Sequence, residues 1–266
     1  MNYFILLTLV FSSFTFAGTC SGELSESGKV KIRLYSPRTP GIRQVVILPP
    51  TGGENRADRN LAKELCSRGH LVKVVDYPQF VIAPEDFDGH ERATIDTMNA
   101  LSGFFEKETA PTAIVGASLG GIYASLVHSL AVNPEWKNFA VVDSLVTTVA
   151  GGSLAEVLTY SALDHVKKTR ESRLAGGTFR TLQDYQNFLD DHIATDLLKL
   201  ARPGNVLAFT SNKDSIVPTK TQLALAEAHG VKPIRVSRLG HSGTVAYVYF
   251  RKIGIIHQFL KQLSNN

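Results

Sequence analysis

Lys29-Val30-Lys31-Ile32-Arg33-Leu34-Tyr35 alternates polar and apolar side chains, which predicts a strand with one wet face. Arg43–Leu48 and Leu71–Val75 are instead nearly continuous apolar, β-branched runs, the pattern of strands covered on both faces. Between them, Asn55 or Asp58 caps a predicted helix that carries Leu61 and Leu65 and stops at Gly69. Residues 79–90 read as a long loop, and an amphipathic helix follows from about Glu91 to Lys107. Pro111–Val115 is a short buried strand. After it, Ile122, Leu126 and Leu130 recur at helical spacing. Phe139–Val142 reads as another strand. Residues 147–202 then break the alternation, because Leu154, Val157, Leu158, Leu163 and Val166 suggest helix, as do Leu182, Tyr185, Phe188 and Leu189. Val206–Thr210 resumes the strands, a helix from about Lys220 to His229 ends at Gly230, and Ile234–Arg238 is the last strand. A closing helix is predicted over Val245–Leu263, with Gly254 as its weak spot.

Strands alternating with helices imply an α/β fold with a mostly parallel sheet and helices on both faces. Residues 147–202 read as a helical insertion over the sheet, a cap. Sites in such sheets lie beyond the strand C-termini. The loops after Leu48, Val115, Thr210 and Arg238 are therefore the places to look for chemistry.

Composition adds bounds. The chain has 266 residues, 44% hydrophobic and 20% charged, enough for one α/β domain with a sizeable core. The net charge of +4 comes without a Lys/Arg cluster, which gives nucleic-acid binding no support. Met1–Ala17 has no charged side chain, and Phe4–Phe11 is an apolar run too short to span a bilayer. Thr15 and Ala17 offer small residues for cleavage before Gly18. The stretch thus reads as a secretion signal over 1–17, ahead of a domain over 18–266, with export to the periplasm or outside the cell. No later stretch is long and apolar enough for a membrane helix. Export permits a disulfide between the two cysteines, Cys20 and Cys66, although sequence does not show whether they meet. Ala17-Gly18-Thr19 fits a lipid-attachment site at Cys20 poorly, so free or paired thiols rank above an anchor.

The chemistry gathers at Gly116-Ala117-Ser118-Leu119-Gly120, which sits between a predicted strand and a predicted helix. In that context G-x-S-x-G reads as a sharp turn that lifts Ser118 clear of the sheet, with Gly116 and Gly120 relieving the crowding. A serine needs a base, and the base needs an acceptor that fixes its tautomer. Asp214 follows the strand over 206–210, and His241 sits in Leu239-Gly240-His241-Ser242-Gly243 after the last strand. The order Ser118, Asp214, His241, with that elbow, resembles α/β-hydrolases of the serine esterase or lipase type over roughly residues 30–263. The resemblance implies a catalytic triad of these three residues, no cofactor, no metal, and a small-molecule ester or acyl substrate. It also implies an oxyanion hole built from the Leu119 amide and an amide of the loop after Leu48. Relatives often have His-Gly there, whereas this chain has Pro49-Pro50-Thr51-Gly52-Gly53; proline has no N–H, which leaves Thr51 or Gly52, with Thr51 the first choice. Asp143 is a rival acid, since it follows a predicted strand. Most of the other seven histidines read as surface or satisfied helix residues, and only His241 sits in a glycine turn at a strand end. Glu85, Asp86, Asp88, His90 and Glu91 match no structural zinc or calcium spacing and read as a solvated loop. A peptidase, a thioesterase, or a binding protein that keeps the fold without turnover are the alternatives.

Overall fold

A computed structural model describes residues 20–39, 41–80, 82–83, 85–193 and 197–264; the segment read as a secretion signal lies outside them, as do Val81 and Pro84 of the long loop. Among the described residues eight strands form one sheet: β1 Glu23–Ser27, β2 Val30–Tyr35, β3 Gln44–Leu48, β4 Leu71–Asp76, β5 Thr112–Ala117, β6 Val142–Thr148, β7 Asn205–Ser211 and β8 Ile234–Val236. Their order is β1-β2-β4-β3-β5-β6-β7-β8. The first two pairings are antiparallel and every later one is parallel. The helices are α1 Arg56–Ser67, α2 Gly89–Phe105, α3 Leu119–Leu130, α4 Leu154–Tyr160, α5 Asp164–Ala175, α6 Leu182–His192, α7 Leu197–Leu200, α8 Thr219–Ala228, α9 His241–Arg251 and α10 Ile253–Leu263.

Alternate residues of the central strands feed two cores. Val46, Leu48 and Ile114 pack with Met98, Leu101, Phe105, Ile122 and Leu126 of α2 and α3. Their neighbours Val45, Ile47 and Val115 pack on the other face with Leu61, Leu65, Val248, Ile256 and Leu260 of α1, α9 and α10. A third cluster, Ala155, Leu158, Phe179, Tyr185, Leu189 and Ile193, belongs to the helices between β6 and β7.

Asn55 caps α1. Its side chain accepts from the N–H groups of Ala57 and Asp58, and Asp58 accepts from the Asn55 N–H in return. Cys20 and Cys66 form a disulfide, with Cα atoms 5.7 Å apart, that ties the chain ahead of β1 to the last turn of α1.

Four expectations need correction. Phe139–Val142 is not a strand: Pro134–Val141 forms a tight 3₁₀ segment started by Asn133, and the strand runs from Val142 to Thr148. Phe139 is buried by stacking, its ring centroid 5.3 Å from that of Trp136, rather than by sheet pairing. Thr147 and Thr148 therefore belong to β6, and the helices that follow it begin at Leu154. The closing helix is two helices, and the break falls at Lys252 (φ −108°, ψ 10°), not at Gly254, which lies inside α10. β1 was not expected at all: Glu-Leu-Ser-Glu-Ser is exposed, and its strand character comes from pairing with β2.

Candidate active site

Ser118 stands between the last residue of β5 and the first of α3, at φ 54° and ψ −124°. A positive φ in a residue with a Cβ is strained, and strain of this kind persists only where the surroundings hold it. The hold is visible. The Ser118 N–H donates to Thr148 O at 2.9 Å, and Ser118 O accepts from the Ile122 N–H at 3.0 Å. A Cβ on Gly116 would overlap the Gly120 carbonyl, and one on Gly120 would overlap the carbonyl oxygens of Leu48 and Pro49. Both glycines are thus required by backbone contact. The second contact also shows that the loop after β3 lies against the start of α3. Ser118 is 6% exposed. Leu119, as the first residue of α3, brings one of the amide donors that a helix start leaves without an intrahelical partner.

Asp214 and His241 lie two and three strands along the same edge. Asp214 sits in the loop after β7, and its Oδ1 accepts from the N–H groups of Ile216 and Val217 at 2.8 and 2.9 Å. Its Oδ2 accepts from Gln222 Nε2 at 3.0 Å and faces His241 Nδ1 at 2.7 Å. The Asp214 side chain has no exposed surface and that of His241 is 10% exposed. His241 is the first residue of α9, with Gly240 extended before it. The Ser211 hydroxyl donates to Leu239 O at 2.6 Å and ties the β7 and β8 loops together. With Nδ1 engaged by the carboxylate, Nε2 is the nitrogen left for other chemistry. No hydrogen bond joins Ser118 to His241 in this structure; the pair formed is His241 with Asp214. Asp143 is elsewhere. It is the second residue of β6, at the N-terminal edge of the sheet, and pairs with Arg43 just ahead of β3. The shifted strand removes it from the site.

The chain matches many solved structures in shape. An alpha/beta hydrolase superfamily protein from Enterococcus faecalis superimposes with a TM-score of 0.59 at 13% identity, covering 92% of this chain and 98% of that one. A Pyrobaculum calidifontis esterase gives 0.57 at 18% identity over 92% of this chain and 85% of that one. Thermogutta terrifontis esterase 2 gives 0.58 at 14% identity over 91% and 95%. The chain has the α/β-hydrolase fold. No family model matches its sequence, and no curated protein sequence does.

Two features of this α/β-hydrolase fold were not legible beforehand. The first is the seating of the loop after β3. The Gly52 N–H donates to Gln79 Oε1 at 2.7 Å, Gln79 Nε2 donates to Pro50 O at 2.9 Å, and the Gly53 N–H also donates to Pro50 O, at 3.1 Å. The buried Tyr77 hydroxyl donates to Pro49 O at 2.8 Å. Gly52 is thereby taken, which leaves Thr51 as the residue of 49–53 whose amide has no partner among the described residues. Gly52 and Gly53, at φ 96° and 82°, supply the left-handed backbone the turn needs. The second feature is the reach of the helices between β6 and β7. The Ala162 N–H donates to Ser215 O, next to Asp214, at 2.8 Å. Arg173 Nη2 donates to Asp86 O at 2.8 Å and its guanidinium lies 5.1 Å from the Phe87 ring centroid, while Phe87 also packs edge-on against Phe179 and Phe188. The insertion is therefore fixed to the loop after β7 on one side and to the segment after β4 on the other, and Ser118 lies between them.

Asp86 also pairs with Arg92. Among the described residues no group of three or more His, Cys, Asp or Glu side chains is placed to hold a metal ion, and no helix is long and apolar enough to cross a membrane.

Proposed function

We propose that this protein is a serine hydrolase that cleaves carboxylic esters through an acyl-enzyme. Ser118 Oγ attacks the carbonyl carbon and passes its proton to His241 Nε2. Asp214 holds the ring by Nδ1 and stabilises the imidazolium. The amides of Leu119 and Thr51 take the charge that develops on the carbonyl oxygen. Collapse of the tetrahedral adduct breaks the bond to the alcohol oxygen, which leaves with the proton from Nε2. Water then gives a proton to Nε2, attacks the acyl carbon and releases the acid, and Ser118 recovers its proton. The apolar stretch around Phe80 and Ile82 and the insertion supply the walls for the acyl group. The observation that carries this reading is Ser118's left-handed backbone on the edge that also holds the Asp214–His241 pair. The structural neighbours named as esterases support the ester class.

The decisive measurement is hydrolysis of p-nitrophenyl butyrate together with labelling by a fluorophosphonate. Ser118→Ala should cut kcat by about 10⁴-fold or more and abolish labelling, with the fold intact. Turnover near that of the native enzyme would reject the reading. The unformed Ser118–His241 hydrogen bond favours the second reading, a binding protein without turnover; the native chain would then fail to label. Catalytic hydrogen bonds in ligand-free sites are often formed only on substrate binding. We also propose export from the cytoplasm, supported by the Met1–Ala17 pattern and by the disulfide, whose use of the Cys20 sulfur leaves no thiol there for a lipid.

A further inference from the structure

The loop after β3 is an unusual place for an anion-stabilising donor in this chain. Two of its five residues, Pro49 and Pro50, carry no N–H. The Gly52 and Gly53 amides are committed to Gln79 Oε1 and Pro50 O. A donor in such a turn works only if its direction is fixed before the charge appears, because reorientation during the reaction costs what the donor would contribute. The fixing is done from outside the loop. The Gln79 side chain spans the turn with both ends of its amide, accepting from Gly52 and donating to Pro50 at 2.7 and 2.9 Å. This two-point contact straddles Thr51 and leaves the carboxamide little rotational freedom. Behind it, the Tyr77 hydroxyl holds Pro49 O, and the Tyr77 ring packs edge-on against Tyr123 of α3 at 5.2 Å between centroids. Tyr123 lies five residues after Ser118 on the helix that the serine opens. A continuous set of contacts thus links the β3 loop, the end of β4 and the nucleophile's helix.

We propose that Gln79 is a positioning residue, which with Tyr77 behind it clamps the Pro50–Gly52 turn so that the Thr51 amide stays aimed at the oxyanion. The proposal rests on the serine-hydrolase reading above. Gln79 touches no reacting atom; it acts through Thr51. Because an oxyanion donor matters most in the transition state, loosening the clamp lowers kcat and leaves KM nearly unchanged.

The test compares native enzyme, Gln79→Met, Gln79→Glu and Ser118→Ala, with p-nitrophenyl butyrate as substrate and a fluorophosphonate as a probe that forms a tetrahedral adduct. Gln79→Met keeps the length and loses both hydrogen bonds. It should lower kcat and the rate of phosphonylation together by about 10- to 100-fold, less than or equal to the loss of a whole donor. KM and the thermal midpoint should stay near the native values. Gln79→Glu keeps the acceptor for Gly52 and sets a carboxylate against Pro50 O, so its kcat should fall between the two. A Gln79→Met enzyme with kcat within about twofold of native overturns the clamp. So does a loss of kcat that tracks a drop in thermal midpoint in both variants, since a brace of the fold alone would behave that way. Ser118→Ala keeps the two ideas apart. Activity retained there removes the serine-hydrolase reading itself, whereas activity lost there with Gln79→Met unaffected removes only the clamp.

Discussion

At the scale of single residues, the candidate site could be proposed from the chain and the contacts that support it could not. Ser118 is legible because the turn that strains it must write glycine two positions to either side. Asp214 and His241 are legible because parallel strands deliver their C-terminal loops to one edge. Gln79 and Tyr77 carry no such mark: a glutamine two residues past a tyrosine is ordinary sequence, and its role exists only once β4 lies beside β3. Asp143 was misplaced because the apolar run ahead of it resembles a strand. Two outcomes follow at this scale. Asp214→Asn keeps the shape and reverses the preferred tautomer of His241, so kcat on p-nitrophenyl butyrate should drop by about 10³- to 10⁴-fold. Gly120→Ala drives a methyl group into the Leu48 and Pro49 carbonyls. It should cost about 1–3 kcal/mol in urea unfolding, and esterase activity should fall with it because the displaced loop carries Thr51.

At the scale of elements, hydrophobic periodicity located every parallel strand except in the stretch around β6. There, burial of Phe139 against Trp136 and Phe105 uses apolar side chains outside the sheet. The break between α9 and α10 was misassigned for a related reason. A glycine near a helix start is tolerated, and Gly254 has open space where a Cβ would be. The same holds for Gly103, exposed within α2 with open space where a Cβ would be. Gly103→Ala should therefore raise stability by about 0.5–1 kcal/mol, read as a higher thermal midpoint with ester hydrolysis unchanged. The helices between β6 and β7 were legible as helices. Their attachment at two sides was not, because Arg173 finds Asp86 across 87 residues of sequence.

For the whole molecule, buried histidines set the response to acid. Burial lowers His70 and His90 to about 4 and His128 to about 3. Nearby guanidinium groups, Arg173 for His90 and Arg202 for His128, push the same way. The unfolded chain takes up these protons near pH 6.5 and the native one does not, so stability is lost as pH falls from about 6.5 towards 4. Asp58, raised by burial to about 7, works in the opposite direction over much of the same window, since the folded form keeps a proton that the unfolded form releases. Burial also lowers His229 and His257 and raises Asp76, so five depressed histidines stand against two raised carboxyls and outweigh them. The urea midpoint should therefore fall between pH 7 and pH 5, and His128→Leu should flatten that slope. Reduction of the Cys20–Cys66 bond, which closes a separation of 46 residues, should cost about 2–4 kcal/mol in the same assay. The disulfide has a geometric consequence as well. Cys66 lies in the last turn of α1, which starts at the edge that holds Ser118 and runs back along the sheet, and the Cys20 N–H donates to Ser36 O just past β2. Cys20 consequently sits at the sheet edge opposite Ser118, so a tag, fusion partner or immobilising tether joined ahead of it is attached at the end of the domain away from the candidate site.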